Sequence, residues 1–196
     1  MTARIVRTGP TTVRTRTWGA GAAEFTEAVP ALLGLDDDWT DFRPEHPTVA
    51  AAARRAAHLR LGRSARVLEA LIPAIIEQRV PGADAFRAWR MLVTRFGGPA
   101  PGPAPARMRV FPAADVWRTI PSWEFHRANV DPGRARTVVL AAGRADSLER
   151  LTGRPVQDAR TALMSLPGVG VWTAAEVAQR AFGAGRTGSV FALAPF

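Results

Sequence analysis

The sequence contains no cysteine and no lysine. Without thiols there is no disulfide framework, thiolate zinc site, iron–sulfur cluster or cysteine nucleophile. Without lysine no side chain can form a Schiff base, and only an N-terminal amine is left for that chemistry. A long apolar run is missing too. The longest uncharged stretches are broken by Pro, Gly and Ser and fall short of the roughly 20 residues that cross a bilayer. The segment Met1–Thr17 carries Arg4, Arg7, Arg14 and Arg16 with no apolar centre between them, unlike a secretory signal. These absences lead to the expectation of a soluble, cytoplasmic protein without membrane association. His46, His58 and His126 lack ligand spacing, so neither metal nor cofactor is expected.

Arginine is what the chain has in quantity. Its 196 residues hold 26 basic against 17 acidic side chains, for a formal net charge of +9 and a pI near 11.6. Since no lysine is present, all of the basic side chains are arginine. Hydrophobic residues make up 47%, enough to exclude a mainly disordered chain. The length allows one domain, or one domain with a small lobe. So basic a balance favours an acidic partner, nucleic acid first. A biased coding composition gives the same excess with no function attached.

The pattern along the chain is mostly helical. Residues 1–18 alternate weakly, as in Thr12–Trp18, which suggests one or two short strands, and Gly19–Gly21 breaks that pattern. Val67, Leu68, Leu71, Ile72, Ile75 and Ile76 repeat at helical spacing, predicting a helix over Ser64–Arg79 with Ser64 as N-cap and a kink at Pro73. A second helix is predicted over Ala83–Phe96, burying Phe86, Trp89, Leu92, Val93 and Phe96 and ending at Gly97-Gly98. Pro99–Pro105 is a loop. Asp131-Pro132 combines an N-cap with proline at the first helical position and opens a helix to about Ala142. Further helices are predicted near Ala22–Leu33, Thr48–His58, Pro155–Ser165 and Val171–Phe182. Trp123-Glu124-Phe125-His126 reads as a short amphipathic helix, and a lone His126 makes no triad. The fold class is therefore mainly α, a bundle of short helices with short N-terminal strands.

The most informative string is Leu166-Pro167-Gly168-Val169-Gly170-Val171-Trp172-Thr173-Ala174-Ala175, between two of these helices. Glycines in a tight interhelical turn permit conformations closed to other residues and keep side chains out of the way. Amides at the start of the following helix then face outward and offer a phosphate both donors and the positive end of the helix dipole. A duplex backbone can be held this way without its sequence being read. A plain helix corner with a glycine cap is the alternative.

The string resembles the hairpin of the helix–hairpin–helix DNA glycosylases, specifically the 3-methyladenine DNA glycosylase II branch. Val67–Val80 is similar to the family's apolar helix ending near a Gln, and Asp131–Leu140, with Arg134-Ala135-Arg136, to the helix preceding the hairpin. The resemblance covers roughly residues 22–182. It divides the chain into an arm over 1–21, a helical domain over 22–182 and a tail over 183–196 that does not match the family. The arm is at best a poor match to the β-lobe of many relatives.

The resemblance implies base-excision repair: an alkylated base is flipped out of double-stranded DNA and its N-glycosidic bond hydrolysed, by a monomeric enzyme without cofactor. Absence of lysine agrees with a monofunctional glycosylase, and absence of cysteine separates the chain from cluster-bearing relatives. The implied backbone grip is Leu166, Pro167, Gly168, Val169 and Gly170. Trp172 is implied for the base pocket through cation–π stacking, or it anchors the turn in the core. Glu176, one turn on, either joins the pocket or is solvated; relatives can have an aromatic there. Gln78 and Arg79, with Val80 beside them, are the gap-filling candidates; alternatively Gln78 is a helix-end hydrogen bonder and Arg79 a phosphate contact. The family's catalytic aspartate follows the second hairpin helix, yet no Asp or Glu follows Glu176 here. Asp158 lies upstream on the wrong helix, so no catalytic residue is assigned. The Ala/Gly-rich tail reads as a truncated or out-of-frame end, or the chain as a degenerate paralogue. Without closing helices, apolar surface near Val67–Ile76 and Val177 is expected to be exposed and stability low. Two other readings are a DNA-binding module without catalysis, and a helical protein with no nucleic-acid role.

Overall fold

The computed structural model describes residues 1–40 and 42–184. The chain opens with an antiparallel ribbon of β1 (Thr2–Arg7) and β2 (Val13–Trp18), in register from Thr2↔Trp18 to Arg7↔Val13. Among the described residues helices follow: α1 (Ala22–Leu32), α2 (Pro47–Arg55), α3 (Val67–Ile76), α4 (Gly82–Phe96), α5 (Ala114–Thr119), α6 (Ser122–Arg127), α7 (Pro132–Gly143), α8 (Ala145–Glu149), α9 (Val156–Met164) and α10 (Val171–Phe182), with a 3₁₀ turn at Arg150–Gly153. The mainly α class is as the sequence implies. The ribbon is tied to α1 by the hydroxyls of Thr17 and Thr26, 3.1 Å apart. The tail predicted over 183–196 lies, from residue 185 on, outside the described residues.

The bundle is built around α3. Its residues are apolar on every side except at Glu69 and Pro73, and Val67, Leu71, Ile72, Ala74 and Ile75 are wholly buried. A helix apolar all round belongs in the middle of a fold. Here α10, α7, α4 and α8 pack against it. The apolar surface expected to be exposed is therefore covered: α3 is enclosed by the chain's own helices, and Val177 on α10 is also fully buried. The reason for expecting low stability goes with it.

The ends of α3 are held by side chains from far along the sequence. It starts at Val67, with Arg66 rather than Ser64 at the cap position and no local side-chain cap. The Glu149 carboxylate at the end of α8 accepts the amides of Val67 and Leu68, each at 2.9 Å. Ser64 is used otherwise: its amide and that of Ala65 donate to the carbonyls of Arg180 and Ala181, satisfying the last turn of α10. At the other end of α3 the Arg134 guanidinium of α7 donates to the Ile76 carbonyl at 2.5 Å. An anion at the N-terminus and a cation at the C-terminus both complement the helix dipole. Glu149→Ala is thus expected to leave two amides of buried residues without partners and lower the stability by about 2 kcal/mol, checked by urea unfolding at neutral pH.

Of the five residues predicted to be buried on α4 only Leu92 is fully so; Trp89, Val93 and Phe96 are half-buried, and Phe86 is 63% exposed, because the helix turns Ala85, Ala88 and Leu92 inward. Trp89 stacks instead with Phe111 and Trp117 in an aromatic layer between α4 and α5. The amphipathic reading of residues 123–126 holds: in α6 Phe125 is buried and Trp123 exposed, and buried Glu124 pairs with Arg95 at 2.8 Å.

Candidate nucleic-acid interface

The turn between α9 and α10 separates core from surface residue by residue. Leu166 and Val169 are buried and anchor it, while Pro167, Gly168 and Gly170 are exposed. The amides of Leu166 and Val169 are spent on the carbonyls of Leu163 and Leu166. Of the five residues implied for the backbone grip, then, only Gly168 and Gly170 present amides, since Pro167 has none. Gly170 caps α10, whose first internal bond is Ala174 to the Gly170 carbonyl at 3.0 Å. The amides of Val171, Trp172 and Thr173 consequently have no partner among the described residues, as the first turn of a helix dictates. Val171 and Trp172, both exposed, join Gly168 and Gly170 as available donors, whereas Thr173 is buried. Free amides at the start of this helix are what the glycine turn predicts from sequence.

The turn is braced from two sides. Gly168 has φ +87°, the left-handed region, and a Cβ there would lie 2.2 Å from Thr137 Oγ1 of α7. Thr137 Oγ1 donates to the Pro167 carbonyl at 3.3 Å. From the end of α3, Gln78 Nε2 donates to the Gly168 carbonyl at 2.9 Å and to Thr173 Oγ1 at 2.8 Å. The carbonyls of Pro167 and Gly168 are thus bonded to α7 and to the end of α3, while the amides of Gly168 and Gly170 have no partner among the described residues.

Gln78 is therefore a helix-end hydrogen bonder, its amide nitrogen committed to the turn. Arg79 next to it is exposed, has no hydrogen bond or ion pair among the described residues, and stands at φ +56°. For a residue with a Cβ that conformation is strained by about 1–2 kcal/mol. Strain of this kind collects at functional positions. Trp172 is 46% exposed, so it does not anchor the turn in the core, and its ring is available at the surface. One turn further, the Glu176 carboxylate pairs with Arg180 at 3.0 Å, and the same guanidinium lies 3.6 Å from Glu77 at the end of α3. Glu176 and Glu77 are thus brought together across α3 and α10 over one arginine, a link no local sequence signal reveals.

Beneath the turn, Asp131 caps α7 by accepting the amides of Gly133 and Arg134 at 2.8 and 3.1 Å, as the Asp-Pro signal predicts. The Arg134 guanidinium bonded to it, helped by those amides, holds its carboxyl below the usual aspartate value against an opposing contribution from burial. A depressed carboxyl of this kind stabilises the fold above the ordinary aspartate range and loses that contribution as pH falls through the lowered value.

No family model matches the chain. It is 31% identical over 166 residues to the probable bifunctional transcriptional activator/DNA repair enzyme AlkA of Mycobacterium tuberculosis, in two strains, covering 80% of this chain and 29% of that protein. The chain spans less than a third of the length of these curated relatives. In structure it is similar to the 3-methyladenine DNA glycosylase from Archaeoglobus fulgidus, with TM-score 0.68 and 21% identity over 85% of this chain and 58% of that one. It is also similar to the Clostridium acetobutylicum 8-oxoguanine glycosylase/lyase solved with double-stranded DNA containing cytosine opposite 8-oxoguanine, with TM-score 0.72 and 15% identity over 92% of this chain and 63% of that one. No described helix is long and apolar enough to cross a membrane.

Proposed function

We propose, for a chain with the fold of the helix–hairpin–helix DNA glycosylases, that it grips duplex DNA and opens it at an alkylated base, as part of base-excision repair by N-glycosidic hydrolysis. The observation that carries this reading is the row of unpartnered amides at the exposed residues Gly168, Gly170, Val171 and Trp172, set at the positive end of α10 and joined by Gln78 to the strained, exposed Arg79. The amides hold a phosphate and supply the fixed point. Turning a nucleotide out of the stack costs a few kcal/mol, offset by a side chain entering the gap. We assign that part to Arg79, which is exposed, since Gln78 is engaged with the turn. The flipped base, if alkylated and cationic, meets the exposed face of Trp172. Glu176 adds a carboxylate one turn away, its charge shared with Arg180 and Glu77. With no lysine in the chain, hydrolysis by water is favoured over attack by a side-chain amine.

A second reading is DNA binding without catalysis, favoured by the fact that Glu77 and Glu176 are both tied to Arg180, and Asp131 to Arg134. Two measurements separate the readings. Duplex affinity by fluorescence anisotropy is expected to fall as salt rises, with a log–log slope of about −1.8 to −2.7, as neutralisation of two or three phosphates requires. Release of free methylated base from an alkylated duplex at excess protein then tests hydrolysis. Salt-insensitive or undetectable binding would sink both readings; binding without release leaves only the second.

A further inference from the structure

We infer that Arg134 is a positioning residue that sets the gap-filling segment at a fixed distance from the phosphate-gripping turn. This rests on the reading given under Proposed function and deepens it. The side chain of Arg134 is 10% exposed, and its three guanidinium nitrogens are directed to three different places. Nη1 donates to the Ile76 carbonyl at the end of α3, Nη2 to the Asn129 carbonyl at 3.3 Å, and Nε to Asp131. Ile76 is followed directly by Glu77, Gln78 and Arg79, so the bond to its carbonyl fixes where the left-handed residue departs from the helix. One helical turn after Arg134, Thr137 donates to the Pro167 carbonyl. The opening of α7 therefore touches both elements expected to meet DNA, with Arg134 on the α3 side and Thr137 on the turn. Gln78 closes the bracket by joining those two elements directly.

The arrangement suits a planar, permanently charged fork and nothing smaller. A lysine supplies the charge that a helix C-terminus favours, but not three bonds in fixed directions. Arg134 is largely buried and bonded to the segment it would control. Its effect on DNA has to pass through the geometry of Arg79 relative to Gly168 and Gly170.

The test compares the wild-type chain with Arg134→Met and Arg134→Lys. Amide hydrogen exchange is followed over residues 76–81 and 166–173. Duplexes with and without a central tetrahydrofuran abasic analogue are titrated by anisotropy. In both variants, exchange should rise at least about tenfold at the hydrogen-bonded amides of Glu77, Gln78, Leu166 and Val169 and little in the rest of α3, α7 and α10. Affinity for the intact duplex should stay within about threefold, while the preference for the abasic duplex drops at least about fivefold. In combination with Arg79→Gly, Arg134→Lys should reduce that preference no further, because both act on one segment. Unchanged exchange, a uniform rise over the whole bundle, or a fully additive double variant would overturn the inference. Arg134→Lys carries the measurement should Arg134→Met fail to fold. If the wild-type chain binds no duplex, the reading of function falls, and hydrogen exchange alone decides whether Arg134 holds the two segments.

Discussion

Gly170→Val is expected to leave the chain folded and to cut its affinity for duplex DNA at least about tenfold, a loss of about 1.4 kcal/mol or more. The backbone at Gly170 has φ −97° and ψ −176°, extended geometry open to any residue. A Cβ there meets nothing within 4 Å. Valine is a poorer helix cap than glycine, so a cost of up to about 1 kcal/mol in stability is foreseen, without steric conflict inside the protein. Outside the protein it is different. The branched side chain would stand among the unpartnered amides of Gly170, Val171 and Trp172 and hold a phosphate away from them. Gly168→Val makes the contrast. It puts a branched residue at φ +87° with its Cβ 2.2 Å from Thr137 Oγ1, so the turn must shift, and both melting temperature and affinity are expected to fall. Thermal melts and anisotropy titrations on the two variants check the pair. If Gly170→Val binds duplex as the wild type does, the amides are not where the backbone sits, and the interface is lost with them.

How far the sequence shows this interface depends on the range of the forces involved. The second hairpin helix is found at its predicted bounds, Val171–Phe182, and α7 starts where Asp131-Pro132 predicts. Both signals are local: a cap, a proline, a glycine turn and an apolar stripe act within a few residues. The start of α3 is misread at Ser64 because the cap is Glu149, 82 residues away. Nothing near Val67 marks it. The short α5 and α8 have too few turns for periodicity to reveal them. Phe86 is misplaced because a stripe of alanines, Ala85 and Ala88, directs α4 inward, and small residues give a weak hydrophobic signal. At the site itself, residue type and spacing are enough to nominate Gln78 and Arg79 together. Choosing between them needs the third dimension, since Gln78 is engaged only through Gly168 and Thr173, about 90 positions on. Trp172 is of the same kind: one residue type serves equally as a core anchor or as an exposed ring, and its burial settles the matter.

Arg79→Gly is expected to act in opposite directions on folding and on recognition. Glycine adopts φ near +56° freely, relieving about 1–2 kcal/mol of strain. The greater backbone freedom of glycine in the unfolded chain takes back about half of that. Stability should therefore stay level or rise slightly, which excludes a damaged fold as the cause of any binding defect. Preference for a duplex carrying a tetrahydrofuran abasic analogue over an intact one should meanwhile drop by about tenfold or more, because no side chain is left to enter the gap. The alternative role makes a different prediction. If Arg79 only touches a phosphate, Arg79→Gly weakens intact and abasic duplexes alike and lowers the salt slope by about one unit. Arg79→Leu then separates shape from charge. A leucine can fill a gap but cannot neutralise a phosphate, so it should recover much of the abasic preference while leaving the salt slope as low as in Arg79→Gly. Recovery of neither quantity, with both duplexes bound equally weakly, would assign Arg79 to the backbone and leave the gap to another side chain.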